Sequence, residues 1–378
     1  LKVYKFKIRR PSRRIVREFE QVLDLCRELY NAALQERREA WRISRKSISY
    51  FDQDHQLKDI RKERPDVGRL YATVCADALR RVHHTYNAFF RRCRNGQKPG
   101  FPRFKGKNQY SSFAYRRQGF KLQGDRLMLS KLGTVRLRLS RPVEGAVKRV
   151  AIKRQTDGWF AVLTVEENQC PWFPRTGDSV GIDVGIENLA TLSTGEVIDN
   201  PQYLRLSERR LKIAQRKVSK RKLRGMNRRK AVRVLGRAHQ KIINQRRDFA
   251  HKAANGIIRE FDEIAVEDLN IKGMVKNHHL AKSISDAAWN TFITILTNKA
   301  ESAGRRVWKV PPQFTSQDCS QCGDRVKKSL ATREHRCIQC GFVSHRDHNA
   351  ALNILARAEP SVRAGVSRPN DPSISVTC

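Results

Sequence analysis

Two pairs of cysteines near the C-terminus constrain the fold of this chain more than any other feature. Each pair has the CxxC pattern, and fourteen residues separate the two pairs. A CxxC turn brings two thiolates to one metal ion, and two such turns complete the closed tetrahedral shell of a structural zinc site. The four predicted ligands are Cys319, Cys322, Cys337 and Cys340. The pattern predicts a zinc ribbon over residues 314–343, with two disulfides or free thiols as the alternatives.

A glycine follows the second cysteine of each pair, at Gly323 and Gly341. Each of these turns favours a residue that tolerates a positive φ angle. The other cysteines stand alone, without pair spacing: Cys26, Cys75, Cys93, Cys170 and Cys378. Isolated cysteines argue against an oxidising compartment, so they favour a metal site over disulfides.

The charge of the chain indicates its partners. The 378 residues include 77 Lys and Arg against 37 Asp and Glu, which gives a formal net charge of +40. So large a charge repels itself unless a polyanion neutralises it, so nucleic acid is the expected partner, with a membrane surface as the alternative. No segment has the apolar length of a spanning helix or the core of a signal peptide. We expect a cytoplasmic, nucleoid-associated bacterial protein.

Hydrophobic periodicity divides the first half of the chain into strands and helices. Residues 1–8 alternate as a strand, and residues 13–94 repeat apolar residues at helical spacing. Four short strands are then predicted, at residues 126–129, 135–139, 147–153 and 159–166. They suggest a small antiparallel barrel that the first strand completes, in which case the helical region is an insertion between barrel strands.

Aromatic and basic residues are interleaved between the helices and the predicted barrel. Such a segment can stack on bases while it holds phosphates. The predicted nucleic-acid contacts here are Arg103, Phe104, Lys105, Arg116 and Arg117. The alternative is that the aromatic residues of this segment belong to the barrel core and that the cations are ordinary surface residues.

The second half begins with three short strands and a long, basic helical region. Strands are predicted at residues 180–184, 189–192 and 196–198, and residues 202–260 are helical apart from a break near Gly225. Between Arg205 and Arg247 the only acidic residue is Glu208. This two-helix arm is either a solvated hairpin or a rail for a phosphate backbone, and its charge favours the rail. The predicted contacts on the arm are Arg209, Arg210, Lys220 and Arg221.

Three carboxylates lie where predicted strands or helices begin or end. Asp183 is on the first strand of this half, Glu267 ends the fourth, and Asp347 opens the last helix. Each has an ordinary explanation: an exposed strand residue, a surface acid or a helix cap. Together they suit phosphodiester cleavage with two Mg²⁺ ions, which take oxygen ligands. We expect Asp183 to bridge the ions and the other two acids to complete the shells.

Five segments of the second half carry the signature of a known family: GIDVGIENLATL, AVEDLNIKGM, PPQFTSQDCSQCG, CIQCG and RDHNAALNIL. Together they closely resemble the TnpB-type proteins of bacterial insertion sequences. These are RNA-guided DNA endonucleases with a RuvC nuclease domain, related to the type V CRISPR effectors. The resemblance covers about residues 177–357 and extends more loosely to the KPGFPRFKG segment and the helices before it.

The resemblance implies a fold and an activity for the whole chain. The implied fold is multidomain α/β: an RNase H-like RuvC nuclease domain with an inserted four-cysteine zinc ribbon, preceded by a wedge β-barrel and an inserted helical recognition lobe. Asp183, Glu267 and Asp347 would be the catalytic acids and would hold two Mg²⁺ ions. A guide RNA from the transposon end would pair with double-stranded target DNA, which is cut next to a short transposon-adjacent motif.

The implied domains follow one another along the chain. They are the first wedge strand (residues 1–10), the recognition lobe (11–97), the wedge barrel (98–172), nuclease parts I and II (177–313), the zinc ribbon (314–343), nuclease part III (344–357) and a disordered tail (358–378).

Two positions depart from the family pattern. Members often carry a further Asp two residues before the last catalytic acid, where this chain has His345. In the recognition lobe, Ala76 stands where a Gln is often found ahead of LRRV. The first departure affects metal tuning more than activity, and the second prevents the transfer of motif-reading contacts.

Two other functions use the same residues. One is a nuclease-inactive, RNA-guided DNA-binding repressor, and the intact trio of acids argues against it. The other is a transposase that joins DNA ends with the same acids, which the sequence does not separate from a hydrolase.

Overall fold

The computed structural model describes residues 1–116, 118–166, 173–329 and 332–366. The chain divides into two compact units between residues 168 and 169. Within the described residues, no helix combines the length and the apolar character needed to cross a bilayer.

The first unit opens with a strand and four helices. Strand β1 spans Lys2–Ile8, and the helices are α1 (Arg13–Ser44), α2 (Tyr50–Glu63), α3 (Pro65–Gly68) and α4 (Ala72–Arg94). Helices α1 and α2 begin at serine caps, because the side chains of Ser12 and Ser49 accept hydrogen bonds from backbone amides of the first turn.

Six further strands complete the sheet of the first unit. They are β2 (Ser112–Arg116), β3 (Phe120–Gln123), β4 (Arg126–Leu129), β5 (Gly133–Arg138), β6 (Ala146–Gln155) and β7 (Gly158–Glu166). The sheet is antiparallel, with the order β2-β6-β7-β1-β5-β4-β3. Because β1 pairs with both β5 and β7, the helices are inserted between strands of one sheet. Among the described residues this sheet is open, with β2 and β3 at its edges, and is not the closed barrel that the sequence predicted.

One hydrophobic core joins the helices and the sheet of this unit. The alternating residues Tyr4, Phe6 and Ile8 of β1 are buried, as the strand pattern predicts. They belong to the same buried cluster as Phe19 of α1 and Val82 of α4.

The second unit is built on a five-stranded mixed sheet. Its strands are β8 (Ser179–Asp183), β9 (Asn188–Leu192), β10 (Val197–Asp199), β11 (Glu263–Glu267) and β12 (Arg306–Val310). The order is β10-β9-β8-β11-β12. Strand β11 is parallel to both of its neighbours, β8 and β12, whereas β8, β9 and β10 form antiparallel pairs.

Helices and one small hairpin complete the second unit. The helices are α5 (Tyr203–Ser219), α6 (Met226–Glu260), α7 (Ile271–Met274), α8 (His278–Ala287), α9 (Trp289–Ser302) and α10 (Arg346–Val366). The hairpin consists of β13 (Glu334–Arg336) and β14 (Val343–His345) and contains the second CxxC turn. The cysteine-rich segment thus lies between the last strand of the main sheet and the last helix, as expected.

The predicted disordered tail is wrong for residues 358–366, because α10 continues to Val366. Beyond Ala358 the residues are Pro, Ser, Asn and Val without helical periodicity, which suggested disorder. Ile354 and Ala358 are nonetheless buried against Ala265 and Val310 of the sheet, and this packing carries the helix past its predicted end. Residues 367–378 lie outside the described residues.

Candidate catalytic and metal sites

Two of the three predicted catalytic acids end neighbouring parallel strands. Asp183 is the last residue of β8 and Glu267 is the last residue of β11. The residues before them, Ile182 and Val266, are partners in the parallel register. The carboxyl ends of parallel strands share one edge of a sheet, so both carboxylates lie at that edge.

The third acid, Asp347, reaches the same edge because α10 approaches β8 very closely. A Cβ atom on Gly181 would lie 2.1 Å from the carbonyl oxygen of Ala351 and 2.8 Å from the amide nitrogen of Leu355. Only glycine at position 181 permits this approach. Gly185 lies beside the acid as well, since a Cβ there would be 3.9 Å from Asp347 Oδ2.

The three carboxylates are electrostatically coupled. Burial raises the pKa of Asp183 well above its usual value, and the charges of Glu267 and Asp347 raise it further against the opposing effect of Arg346. Burial also raises the pKa of Glu267, with a partial offset from the Thr315 hydrogen bond. A cluster of this kind is unfavourable without a positive partner, and a divalent cation supplies one.

His345 caps the helix that carries Asp347. The backbone amide of Asp347 donates a hydrogen bond to His345 Nδ1, at 3.3 Å. The Arg346 Nε atom lies 3.2 Å from Asp347 Oδ1 and fixes one side of the carboxylate. The departure from the family pattern at position 345 thus places a ring nitrogen at the helix start, where it satisfies an amide that the helix leaves unpaired.

Two residues that the sequence did not indicate support this edge. The Thr315 hydroxyl donates a hydrogen bond of 2.5 Å to Glu267 Oε1, across a sequence separation of 48 residues. The Trp289 indole donates to the carbonyl oxygen of Gly185 at 2.8 Å, across 104 residues. Thr315 lies within a family motif, which was the one available signal, and Trp289 was predicted only as part of an apolar helix face.

The four predicted zinc ligands do converge. All four sulfur atoms lie within 4.8 Å of one another, with Cys319 and Cys340 at 3.7 Å and Cys322 and Cys337 at 3.6 Å. A tetrahedral ion with bonds of about 2.3 Å requires sulfurs about 3.8 Å apart, so the cluster fits zinc. These distances exceed a disulfide bond of about 2.05 Å, so the disulfide alternative is wrong.

The backbone of both CxxC turns supports the cluster. Gly323 and Gly341 have φ angles of +80° and +74°, as predicted. Their amides donate to the carbonyl oxygens of Cys319 and Cys337. Hydrogen bonds from backbone amides, with that of Cys340 the largest contribution, lower the pKa of the Cys337 thiol to about 7, whereas contacts with the neighbouring sulfurs raise the pKa values of the Cys322 and Cys340 thiols.

The carboxylates and the cysteines differ in how closely their ligand atoms approach. Among the described residues, the cysteines are the one group of three or more His, Cys, Asp and Glu ligands that can surround a single ion. The three acids do not form such a group among the described residues, although their charges influence one another.

None of the described nucleic-acid contacts predicted in the first unit is buried, whereas three neighbouring aromatic residues lie in the core. Arg103 and Phe104 are exposed, Lys105 is half-buried and Arg116 is exposed, while Arg117 lies outside the described residues. The guanidinium of Arg38 lies 5.2 Å from the ring centre of Phe104. The nearby aromatics Tyr110, Phe113 and Tyr115 are buried, so for these three the core alternative is correct.

The predicted contacts on the basic arm are all exposed: Arg209, Arg210, Lys220 and Arg221. The arm, defined here as α5 and α6, is held at its base by Asp286 of α8. Its carboxylate accepts hydrogen bonds from the amides of Leu204 and Arg205 at 2.9 and 3.0 Å, and from Arg246 of α6 at 2.6 Å. Asp286 therefore caps α5, which lacks a side-chain cap of its own.

Two family models match the second unit and its junction with the first. A model described as "Probable transposase", of the OrfB type of IS605 elements, matches residues 162–278. A model of the Cas12f1-like TNB domain matches residues 289–354, which include the four cysteines and Asp347.

Relatives that match most of the chain show the family to which it belongs. A protein of Streptomyces pristinaespiralis named "Putative RNA-guided DNA endonuclease" is 36% identical over 92% of this chain and 87% of its own length. The chain belongs to the TnpB-like family of RNA-guided DNA endonucleases. A second TnpB-like relative, "Putative RNA-guided DNA endonuclease InsQ" of Escherichia coli K12, is 31% identical over 97% of this chain and 94% of its own.

A solved structure shows the same general fold in a compact effector protein. The "mini-RNA-guided endonuclease CRISPR-Cas_phi3" superposes with a TM-score of 0.51 and 12% identity, over 94% of this TnpB-like chain and 92% of the other. At this identity the similarity shows the fold alone.

Proposed function

We propose that this chain is an RNA-guided, Mg²⁺-dependent endonuclease that cuts double-stranded DNA next to a short transposon-adjacent motif. The observation that carries the proposal is the electrostatic coupling of Asp183, Glu267 and Asp347 at one edge of the β8–β11 pair. These are acids from three separate parts of the sequence. Membership in a family whose relatives are named RNA-guided DNA endonucleases supports the guide and the substrate.

The proposed catalytic residues share one task. Asp183, whose carboxylate is coupled to both other acids, would hold the Mg²⁺ ions together with Glu267 and Asp347. When bound, the ions activate the attacking water and neutralise the leaving oxygen. The chain contributes carboxylates held deprotonated by the ions, and a helix start at Asp347 that Arg346 and His345 fix in place.

The proposed domains follow from the same assignment. The five-stranded sheet with α10 would be the RNase H-like RuvC core, and the cysteine cluster would be a zinc ribbon inserted into it. In the first unit, the antiparallel sheet would be the wedge and α1–α4 the recognition lobe. The zinc assignment is supported by the sulfur spacing and by the two positive φ angles of the glycines.

The proposed partners are a guide RNA from the transposon end and the target DNA. The net charge of +40 favours a polyanion of many phosphates as the partner. The exposed cations of the arm and the exposed Arg103 and Phe104 offer phosphate and base contacts. Such a surface reads a duplex by its backbone and shape and leaves sequence to base pairing.

One competing function rests on a specific observation. The family model that matches residues 162–278 is described as a transposase, and acids of this type serve strand transfer as well as hydrolysis. A nuclease-inactive repressor is less favoured, because all three acids are present and coupled.

A single experiment separates the three functions. The protein is purified with its co-expressed RNA, the RNA is sequenced, and the complex is incubated with a plasmid library in which the matching target lies beside randomised flanks. Guide-dependent linearisation with a flank preference supports the proposal. Binding without cuts would indicate the repressor, and joined products without RNA would indicate the transposase.

A further inference from the structure

The hydroxyl of Thr315 contacts a proposed metal ligand from outside the main sheet. Its hydrogen bond to Glu267 Oε1 measures 2.5 Å, and both side chains are buried, with exposed fractions of 4% and 9%. Thr315 does not belong to the sheet that carries Glu267. It lies four residues before Cys319, on the segment that leads from β12 into the cysteine cluster.

The Thr315 hydroxyl lies close to two acceptors and can donate to only one of them. Thr315 Oγ1 also lies 3.3 Å from the carbonyl oxygen of Pro312, but a hydroxyl has one proton to donate. The shorter contact is to Glu267, and a bond to a carboxylate is the stronger kind. The Thr315 hydroxyl therefore fixes one oxygen of the Glu267 carboxylate.

The backbone before Thr315 is held in an unfavourable conformation. Phe314 has a φ angle of +61°, in the left-handed region that bulky residues avoid. Such a conformation persists where the surroundings over-determine it, and it is typical of functional sites. The Arg325 guanidinium lies 3.6 Å from the ring centre of Phe314 and holds the turn from one side.

Three side chains of α10, spaced four residues apart, hold the segment from the other side. Asn353 Nδ2 donates to the carbonyl oxygens of Thr315 and Asp318 at 2.8 and 2.7 Å. Asn349, which is fully buried, donates to Asp318 at 2.8 Å and accepts from the Ser320 amide at 3.0 Å. These contacts join the base of the cysteine cluster to the helix that carries Asp347.

Arg357 completes this set one turn further along α10. Its guanidinium donates to the carbonyl oxygens of Pro311 and Gln313 at 2.9 and 2.7 Å and to Asp318 Oδ2 at 3.2 Å. Residues at this spacing share one face of a helix. The segment from Pro311 to Ser320 is thus bonded to α10 along its length, and Thr315 is the point at which it bonds to the sheet.

We propose that Thr315 is a positioning residue for Glu267, and that closure of the cysteine cluster on its metal holds Thr315 in place. The inference rests on the proposed function, in which Glu267 is a ligand of a divalent ion. The affinity of the carboxylate site for that ion should then depend on the Thr315 hydroxyl. Partners of metal ligands typically change metal affinity by about 10- to 100-fold when removed.

The test measures the binding of Mn²⁺, a spectroscopic substitute for Mg²⁺, to the purified full chain by electron paramagnetic resonance. Thr315→Val keeps the shape of the side chain and removes the hydroxyl, whereas Thr315→Ser keeps the hydroxyl. The matched control is Thr297→Val, which removes a hydroxyl that bonds within α9, to the carbonyl oxygen of Ile293. Bound zinc is measured in every variant.

The expected result is an Mn²⁺ affinity about 10-fold weaker for Thr315→Val, with near-normal affinity for Thr315→Ser and Thr297→Val. Wild-type affinity in Thr315→Val would overturn the inference. Asp183→Ala separates this outcome from failure of the proposed function. If Asp183→Ala also binds Mn²⁺ normally, the carboxylates are not the ion site at all.

A double-mutant cycle covers the case in which Thr315→Val disturbs folding or lowers the zinc content. If Thr315 acts through Glu267, then adding Thr315→Val to Glu267→Gln should weaken Mn²⁺ binding less than it does in the wild type. Fully additive losses would contradict the inference, because a general disturbance acts regardless of residue 267.

Discussion

Asp183 and Glu267 end adjacent parallel strands, and the charge of Glu267, after burial, is the largest influence that raises the pKa of Asp183. The arrangement is unfavourable for the metal-free fold, because the buried edge holds carboxylates that repel one another. The metal-free fold is therefore less stable because of the same carboxylates that the proposed activity requires.

Asp183→Asn should therefore stabilise the metal-free protein by about 1–2 kcal/mol at alkaline pH, where Asp183 is ionised, since it removes a charge from a buried, like-charged site. The sign follows from linkage: a carboxyl whose folded pKa is raised destabilises the fold when ionised, so wild-type stability should rise as pH falls through that raised pKa towards the unfolded value of 3.8.

Urea unfolding in buffer free of Mg²⁺ measures both effects. The variant should show a higher midpoint at alkaline pH and a weaker dependence of the midpoint on pH. A variant less stable than the wild type at alkaline pH would contradict this account of the edge.

Gly181→Ala should prevent the close approach of α10 to β8. The added Cβ would lie 2.1 Å from a backbone oxygen, which cannot move as a side chain can. We expect a loss of about 3 kcal/mol or more and a displaced Asp347. The matched control is Gly256→Ala in α6, where a Cβ meets nothing within 4 Å and should stabilise the helix by up to about 1 kcal/mol. Thermal unfolding of the pair checks this, and equal effects would refute it.

Asp286→Ala should loosen the arm. The substitution leaves the Leu204 and Arg205 amides without their cap and leaves Arg246 without its buried partner, at an expected cost of about 2–4 kcal/mol. Hydrogen exchange should accelerate at the start of α5. Glu208→Ala is the control, because its exposed pair with Lys282 should contribute little to stability. Unchanged protection in Asp286→Ala would show that the arm is held elsewhere.

Removal of the metal from the cysteine cluster should unfold residues 314–343 locally. We expect one zinc per chain by elemental analysis, and its loss in Cys337→Ser. After strong chelation, limited proteolysis should cut within this segment first. A protein that contains no zinc, or that resists proteolysis equally after chelation, would contradict the assignment.

The acids and cysteines could be predicted because local sequence is enough to place them. Asp183 and Glu267 each end a short apolar run, and the CxxC spacing is itself the geometry of the cluster. The parallel pairing that brings the two acids together is visible only in the structure, because neither strand alone indicates its partner.

The residues that hold these groups in place could not be predicted in the same way. Thr315 bonds to Glu267 across 48 residues, and Asp286 caps α5 across 82 residues. Neither residue differs locally from an ordinary polar surface residue, since only the packed fold provides its partner. The end of α10 was missed for the same reason, because burial of Ala358 outweighs the composition of the segment.

The most direct test of the central claim is cleavage of target DNA by the purified ribonucleoprotein with Mg²⁺, comparing wild type, Asp183→Ala and Asp199→Ala. Asp199 is an exposed acid that also ends a strand, β10, and serves as the matched control. We predict guide-dependent linearisation by the wild type and by Asp199→Ala, and a loss of at least about 1,000-fold in Asp183→Ala with target binding retained. Cleavage by Asp183→Ala at the wild-type rate would contradict the account.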